Sequence, residues 1–356
     1  MAYCWKCGAK LEENAEYCHV CGTPVRTPSV RPGVPSRPGA RTGWTPVHTL
    51  AVVLGSILIV GLIASVFFLL PVQPVNFTRF EQVPSQSGVN AINLNLTADV
   101  AAFNITFGDL NGNAMTLNVS ATGGVGAFAP SEPLNITVDS LRAGHALLVD
   151  AWIGRNGTWW PLFGGLKVTC DIQIERSLNV TLNVKTSAGD VALVASQGVV
   201  FESLDLEATT GRADATISRG VVLDGAVVVQ STTGGSSLNW DNVKVRGNVS
   251  VSVRTTTGGV GVNVTQDSLM AGNVTLNAGA VTGGVDFSTT IHDSVGMEVN
   301  SSTTIGGVDT NLTGFSGSKS MIQSDDYPAP SNFVVTLSTM TGGISIKADC
   351  EPGQHM

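Results

Sequence analysis

A glycine turn that recurs along the second half of the chain constrains the fold more than any other feature. The turn has the form Thr-x-Gly-Gly or a close variant, as in STTGG and TTTGG. The first glycines of the turns are Gly189, Gly211, Gly234, Gly258, Gly283, Gly306 and Gly342. Successive spacings are 22, 23, 24, 25, 23 and 36 residues. A near-constant period with a strand on either side of each turn is typical of a β-solenoid, whose stacked coils share one core.

The turns also predict details of each coil. A glycine at the corner makes a tight bend that a Cβ would obstruct, and the threonines beside it are expected to stack as a hydroxyl ladder. The long final spacing contains SDDYPAPSN, which predicts a surface insertion before a last coil or cap. With its V-x-V strands around T-x-G-G, the region 178–349 resembles the prokaryotic family of adhesin-like β-solenoids of unknown function. That resemblance implies surface adhesion or envelope sensing.

The region 76–177 shows alternating segments such as INLNLTA and MTLNVSA. Alternation of period two with β-branched residues predicts half-buried strands, and hence a β-sandwich-like or irregular β domain. One stretch concentrates aromatic residues, namely Trp152, Trp159, Trp160 and Phe163. Such a cluster can stack on sugars or anchor a partner, but it more often plugs one end of a β core, and we favour the plug.

The first 23 residues contain two C-x2-C pairs, Cys4 with Cys7 and Cys18 with Cys21. Two such pairs ten residues apart can bring four thiolates to one tetrahedral ion. Two disulfides or a redox CxxC are the alternatives, but a short segment with almost no apolar core favours structural Zn²⁺. His19 is expected to be a bystander, because four thiolates already close the site.

The stretch YCWKCGAKLEENAEYCHVCGTPV closely resembles the short zinc ribbons that begin many prokaryotic membrane proteins, and it favours an archaeal source. The resemblance implies a zinc site without catalysis, since a Cys4 site has no open coordination position. We favour a protein-docking role for the ribbon over nucleic-acid binding.

An apolar run, residues 47–70, contains no Lys, Arg, Asp or Glu. A helix of this length rises about 36 Å, more than the hydrocarbon core of about 30 Å. Uniform apolarity leaves no polar face, which favours a transmembrane helix over a buried core helix. The run is therefore expected to be an uncleaved membrane anchor.

The segment before the run, residues 24–46, is rich in proline and arginine and contains no acidic residue. It is expected to be a semi-rigid linker, and its arginines place the N-terminus in the cytoplasm by the positive-inside rule. The sequence thus predicts a cell-membrane protein with a single span and an extracellular ectodomain. Beyond residue 46 the chain has 13 basic and 24 acidic residues, for a net charge of −11, which argues against nucleic acid as a partner.

Two further site predictions concern this ectodomain. The N-x-S/T sequons all lie after the apolar run and are candidate glycosylation sites. They are Asn76, Asn95, Asn104, Asn118, Asn135, Asn156, Asn179, Asn248, Asn263, Asn273, Asn300 and Asn311. Cys170 and Cys350 are a candidate disulfide, with two free thiols as the alternative.

The predicted fold class is mainly β. It comprises a zinc ribbon (1–23), a linker (24–46), one transmembrane helix (47–70), an exported β-rich domain (76–177), a β-solenoid of 22–25-residue repeats (178–349) and a tail (350–356). The favoured function is a membrane-anchored cell-surface binding or scaffold protein that contacts a surface polymer or protein. A transmembrane envelope sensor that signals to a cytoplasmic protein through the ribbon is the alternative. An envelope polysaccharide hydrolase is a second alternative, but no paired-acid motif stands out, so no enzyme activity is expected.

Overall fold

The computed structural model describes residues 2–12, 15–24, 46–69, 73–125, 132–156, 165–292 and 294–351. The predicted linker at 24–46 and the tail at 350–356 lie largely outside the described residues. The chain divides into two compact units, residues 1–66 and 67–356.

The first unit contains the ribbon. Its two short strands, β1 (Ala2–Tyr3) and β2 (Lys10–Leu11), pair antiparallel with Tyr3 opposite Lys10. Cys4, Leu11 and Cys18 are its buried residues. So small an apolar core fits a segment whose folding depends on a metal instead of on hydrophobic burial.

The predicted transmembrane helix requires a correction. Helix α1 runs over Pro46–Leu69, but within the described part of the chain no helix is both long and apolar enough to cross a membrane. The predicted single span is therefore wrong, and so is the cell-membrane localisation with a cytoplasmic N-terminus and an extracellular ectodomain.

The second unit is built of strands. The first group comprises β3 (Gln73–Pro84), β4 (Ala91–Val100), β5 (Ala102–Gly108), β6 (Asn113–Val125), β7 (Leu134–Ala143), β8 (Ala146–Arg155) and β9 (Leu166–Glu175). The repeat region contributes β10 (Asn179–Ala188), β11 (Val191–Ala195), β12 (Val200–Thr210), β13 (Ala213–Ile217), β14 (Val222–Leu223), β15 (Val227–Thr233), β16 (Ser236–Asp241), β17 (Lys244–Val245), β18 (Val249–Thr257), β19 (Val260–Gln266), β20 (Val274–Thr282) and β21 (Val285–His292). The last group comprises β22 (Val295–Ile305), β23 (Val308–Thr313), β24 (Phe315–Ser318), β25 (Met321–Ser324), β26 (Ser331–Thr341) and β27 (Ile344–Glu351).

These strands form two sheets, which we call the wide sheet and the narrow sheet. The wide sheet has 14 strands, in the order β24-β25-β22-β26-β20-β18-β15-β12-β10-β4-β8-β7, with the short strand β14 paired to β12 and β17 paired to β14. The narrow sheet has 11 strands, in the order β23-β27-β21-β19-β16-β13-β11-β5-β9-β6-β3. Pairing is parallel through the middle of both sheets. Each repeat places one long strand in each sheet, and two of the repeats add the short strands β14 and β17 to the wide sheet.

Antiparallel strands lie at both ends of the wide sheet and at one end of the narrow sheet. The coils therefore form two open sheets, and no closed solenoid is present in the described chain. The predicted fold class is wrong in this respect as well as in its transmembrane helix. Its mainly β character and the N-terminal ribbon are confirmed.

The spatial order of the coils differs from their order in the sequence at both ends of the stack. At one end, β8 and β9 lie outside β4 and β5. At the other end, the last coil (β26, β27) lies between the coil of β20 and β21 and the coil of β22 and β23. The 36-residue spacing is the length needed to complete the outermost coil, form the β24–β25 hairpin and return.

Each corner requires glycine because neighbouring coils approach closely there. Gly258 has φ +141°, and a Cβ built on it would lie 1.6 Å from the carbonyl oxygen of Gly234 in the adjacent coil. The second glycine of the same turn, Gly259, has no such contact within 3.9 Å. Only the first glycine of the pair is therefore sterically required.

A hydroxyl ladder runs inside the corner. Ser231 donates to the carbonyl of Gly211 (2.7 Å), and Thr255 donates to that of Gly234 (3.0 Å). Thr186, Thr303 and Thr339 repeat the contact in other coils. The donor lies three residues before the first glycine, so it precedes the Thr-x-Gly-Gly motif itself.

Inward side chains of both sheets form one hydrophobic core. Its largest fully buried side chains include Trp240, Phe201 and Phe333, and the Trp240 and Phe333 rings pack edge to face at 5.7 Å. The buried Trp240 indole donates to Gln266 Oε1 at 2.9 Å, which satisfies its polar group. The alternation that buries these residues turns every second side chain outward, and those outward rows form the outer faces of the two sheets.

Candidate metal centre and sheet groove

Four cysteine sulfurs converge in the ribbon. The Sγ atoms of Cys4 and Cys21 are 3.6 Å apart, those of Cys7 and Cys18 are 3.7 Å apart, and all four lie within 4.8 Å of one another. A tetrahedral ion with metal–sulfur bonds of about 2.3 Å requires sulfurs about 3.8 Å apart. The cluster thus has the dimensions and the donor set of a closed four-thiolate zinc site.

Two tight turns hold the sulfurs in place. The Gly8 amide donates to the Cys4 carbonyl at 2.9 Å, and the Gly22 amide donates to the Cys18 carbonyl at 2.8 Å. Both glycines have positive φ, 72° and 66°. The positive φ explains why a glycine follows the second cysteine of each pair.

Hydrogen bonds favour the thiolate form in part of the cluster. The Thr23 hydroxyl, 3.1 Å from Cys21 Sγ, and then the Thr23 amide lower the pKa of Cys21 to about 6. The amides of Lys6 and then Cys7 lower the pKa of Cys4. Because the thiolate is the metal ligand, these donors prepare the site for a cation.

The ribbon also exposes apolar side chains. Tyr3, Trp5, Tyr17 and Val20 are each more than 60% exposed. Aromatic residues at the surface of so small a module are typical of contacts with another protein.

The structure does not bring Cys170 and Cys350 together. Cys170 lies on β9 and Cys350 on β27, seven strand steps apart in the narrow sheet, which is about 34 Å at about 4.8 Å per step. A disulfide requires Cα atoms about 4.4–6.8 Å apart. Burial, followed by the charge of Asp171, raises the pKa of Cys170 to about 12, so this thiol stays protonated.

The sequon asparagines lie at the surface: nine of the twelve are exposed and three are half-buried. Several side-chain amides are already engaged. Asn104 donates to Asp171 at 2.8 Å, Asn95 to Asp150 at 3.1 Å, and Asn300 to Glu298 at 2.8 Å. A glycan at any of these three would be attached to the same nitrogen and would leave it a single N–H to donate.

A groove of about 610 Å³ lies on the outer face of the wide sheet. Its lining includes residues four positions before the first glycine of successive turns, which align across neighbouring strands. In spatial order they are Glu207, Gln230, Arg254, Gly279, Ser338 and Ser302. The row spans five strand steps, about 24 Å at about 4.8 Å per step.

The groove arises from a drop in side-chain size along this row. Long side chains end at Arg254, the next position is Gly279, and Ser338 and Ser302 follow. Exposed Val281 and Met340 form part of the lining nearer the corner. At the charged end, Glu207 is paired with Lys185 at 3.0 Å, and this hydrogen bond raises the pKa of Lys185.

Sequence reasoning missed this groove, although the signal was present. Aligning the repeats on their first glycine shows the fall in size at the minus-four position. The spatial neighbours of Gly279 could not be read in the same way, because the last coil is inserted out of order. Of the aromatic cluster, Trp152 is 37% exposed, and Trp159, Trp160 and Phe163 lie outside the described residues.

The zinc-ribbon domain family matches residues 3–25 of the chain, and no curated protein matches the chain. Among solved structures, the chain is similar to a candidate cell adhesion protein from Clostridium sporogenes, with 15% identity and a TM-score of 0.37 over 77% of this chain and 100% of that one. It is also similar to a candidate adhesin from Bacteroides fragilis, with 14% identity and a TM-score of 0.30 over 77% of this chain and 97% of that one. The chain is similar as well to a candidate adhesin from Parabacteroides merdae, with 11% identity and a TM-score of 0.25 over 76% of this chain and 95% of that one.

Proposed function

We propose that this chain is a non-enzymatic, adhesin-like binding protein that holds a surface polymer against the outer face of its wide sheet. This proposal rests on the groove on the outer face of the wide sheet. It extends about 24 Å across the stacked strands, a shape that suits an extended ligand better than a compact one. Its floor is rigid because the strands beneath it, from β15 to β26, are paired on both sides.

The groove lining supports binding over hydrolysis. Glycoside hydrolases use two carboxyl groups about 5–9.5 Å apart. Among the lining residues the only carboxylate is Glu207, and it already forms an ion pair with Lys185. The lining also contains no histidine that could act as a general base.

Binding of the full chain to a polymer panel tests this function. The immobilised protein is exposed to neutral, acidic and amino polysaccharides while reducing ends are assayed in the same samples. Saturable binding of at least one polymer without release of reducing ends is expected. Failure to bind any polymer, or steady release of reducing ends, would contradict the proposal.

In the ribbon, we infer that Cys4, Cys7, Cys18 and Cys21 hold one structural Zn²⁺. The sulfur spacings of 3.6 and 3.7 Å support this, and such an ion would close a module whose apolar core is too small to fold alone. The exposed Trp5 and Tyr17 favour a second role for the ribbon, docking to a protein partner. Pull-down with the full chain and with W5A tests it: a partner captured equally by both would contradict docking through this surface.

A further inference from the structure

The charge in the groove is concentrated on one residue. The Arg254 side chain is exposed, and no carboxylate lies within ion-pair distance of it among the residues that the structure describes. The chain as a whole has a net charge of −8. An unpaired guanidinium in an acidic protein offers a local site for an anion, and its planar fork matches a carboxylate in two hydrogen bonds.

The space for that anion lies beside Arg254. Its neighbour on β20 is Gly279, and the next residue in the row is Ser338. Gly279 has no side chain, and the Ser338 hydroxyl lies 2.8 Å from where its Cβ would be, so the positions next to Arg254 in the row carry a hydrogen atom and a hydroxymethyl group instead of long side chains. A ligand group can therefore lie on the floor of the groove and contact Arg254 from the side.

The remaining partners in the groove are hydroxyl and amide groups. Ser302, Ser338, Thr256 and Gln230 line it, and none of their side chains makes a hydrogen bond within the described chain. The backbone groups of the strands below are committed to the sheet ladder. A peptide that recognises a sheet through its main chain needs an open edge, which this face does not offer. The hydroxyl groups of a saccharide can therefore form hydrogen bonds with these side chains.

We propose that the groove binds a carboxylated saccharide, with the sugar carboxylate on Arg254 and the sugar hydroxyls on Ser302, Ser338, Thr256 and Gln230. This rests on the proposed binding function and names its ligand class. Val281 and Met340 give the apolar face of a sugar ring a surface to lie against. Glu207 does not oppose the carboxylate, because Lys185 balances its charge.

The test compares two variants of the full chain that remove one positive charge each. R254Q removes the groove cation, and K347Q removes an exposed lysine on β27 of the narrow sheet. The probes are oligogalacturonate, its neutral methyl ester and poly-L-glutamate, measured by calorimetry at low and high salt. Wild type and K347Q are expected to bind oligogalacturonate alike. R254Q is expected to bind it about tenfold or more weakly, and the wild-type affinity should fall as salt rises.

Three outcomes would overturn the proposal: equal binding of the acid and its methyl ester, wild-type affinity in R254Q, or tighter binding of poly-L-glutamate than of oligogalacturonate. Each can occur while the polymer panel still detects a neutral polysaccharide, in which case the ligand class is wrong and the binding function stands. Absence of binding to every polymer in both experiments would remove the binding function itself.

Discussion

Replacing Gly258 by alanine is expected to destabilise the stack, whereas the same change at Gly259 in the same turn is not. At Gly258 the backbone has φ +141°, and the added Cβ would lie 1.6 Å from the Gly234 carbonyl oxygen. Such a backbone conformation costs a non-glycine residue about 1–3 kcal/mol. The oxygen belongs to the neighbouring coil, so relieving the clash also weakens ladder hydrogen bonds of about 1 kcal/mol each. The expected loss is about 3 kcal/mol in the free energy of unfolding.

Scanning calorimetry measures this loss. At about 2.1 cal/mol/K per residue, the unit 67–356 has an unfolding entropy of about 0.6 kcal/mol/K, so 3 kcal/mol lowers Tm by about 5 °C. G259A is the matched control, because its Cβ meets nothing closer than 3.9 Å, and it should melt within about 1 °C of wild type. A G258A protein that melts with G259A would refute the steric account of the corner.

Three other predictions follow from the hydroxyl ladder, the ribbon and the core. T255V removes the donor to the Gly234 carbonyl and should lower the unfolding free energy in urea by about 1 kcal/mol, whereas the exposed T256V should leave it unchanged. C21S should reduce bound zinc from one ion per chain to well below one by elemental analysis; full zinc content in the variant would contradict a four-thiolate site. Cys170, buried and with its pKa raised to about 12, should resist iodoacetamide at pH 8 until the chain unfolds; rapid labelling of the native protein would contradict its burial.

The local features of the fold were predictable from the sequence because local chemistry determines them. The spacing of Gly234, Gly258 and Gly283 reports a steric requirement at every corner. In the ribbon, the spacing of the four cysteines and the glycine after each cysteine pair are likewise visible in the sequence. Alternation of period two identified strands on both sides of residue 178, since one buried face fixes that pattern.

Long-range order was less accessible. Nothing local indicates that β26 inserts between β20 and β22, because the strands of a parallel stack have similar sequences and a similar alternation. The separation of Cys170 from Cys350 follows from that stacking, so a pairing suggested by cysteine count alone failed. The groove was hidden for the same reason, since its floor joins Gly279 to Ser338 and Ser302 across the inserted coil.

Filling the groove tests the central claim, that this face of the wide sheet is the binding surface. G279T adds a side chain to the floor, where the new Cβ would lie 2.8 Å from the Ser338 hydroxyl oxygen and 3.3 Å from the Ser338 carbonyl oxygen, so the Ser338 side chain must turn away. G261T makes the same change on the narrow sheet, where the nearest atom is 3.9 Å away. The measurement is the dissociation constant of oligogalacturonate from each full-length variant. We predict at least a tenfold weakening for G279T and none for G261T, measured well below the Tm of each variant, as expected for a contact worth about 1.4 kcal/mol. Equal affinity of the two variants would contradict the account.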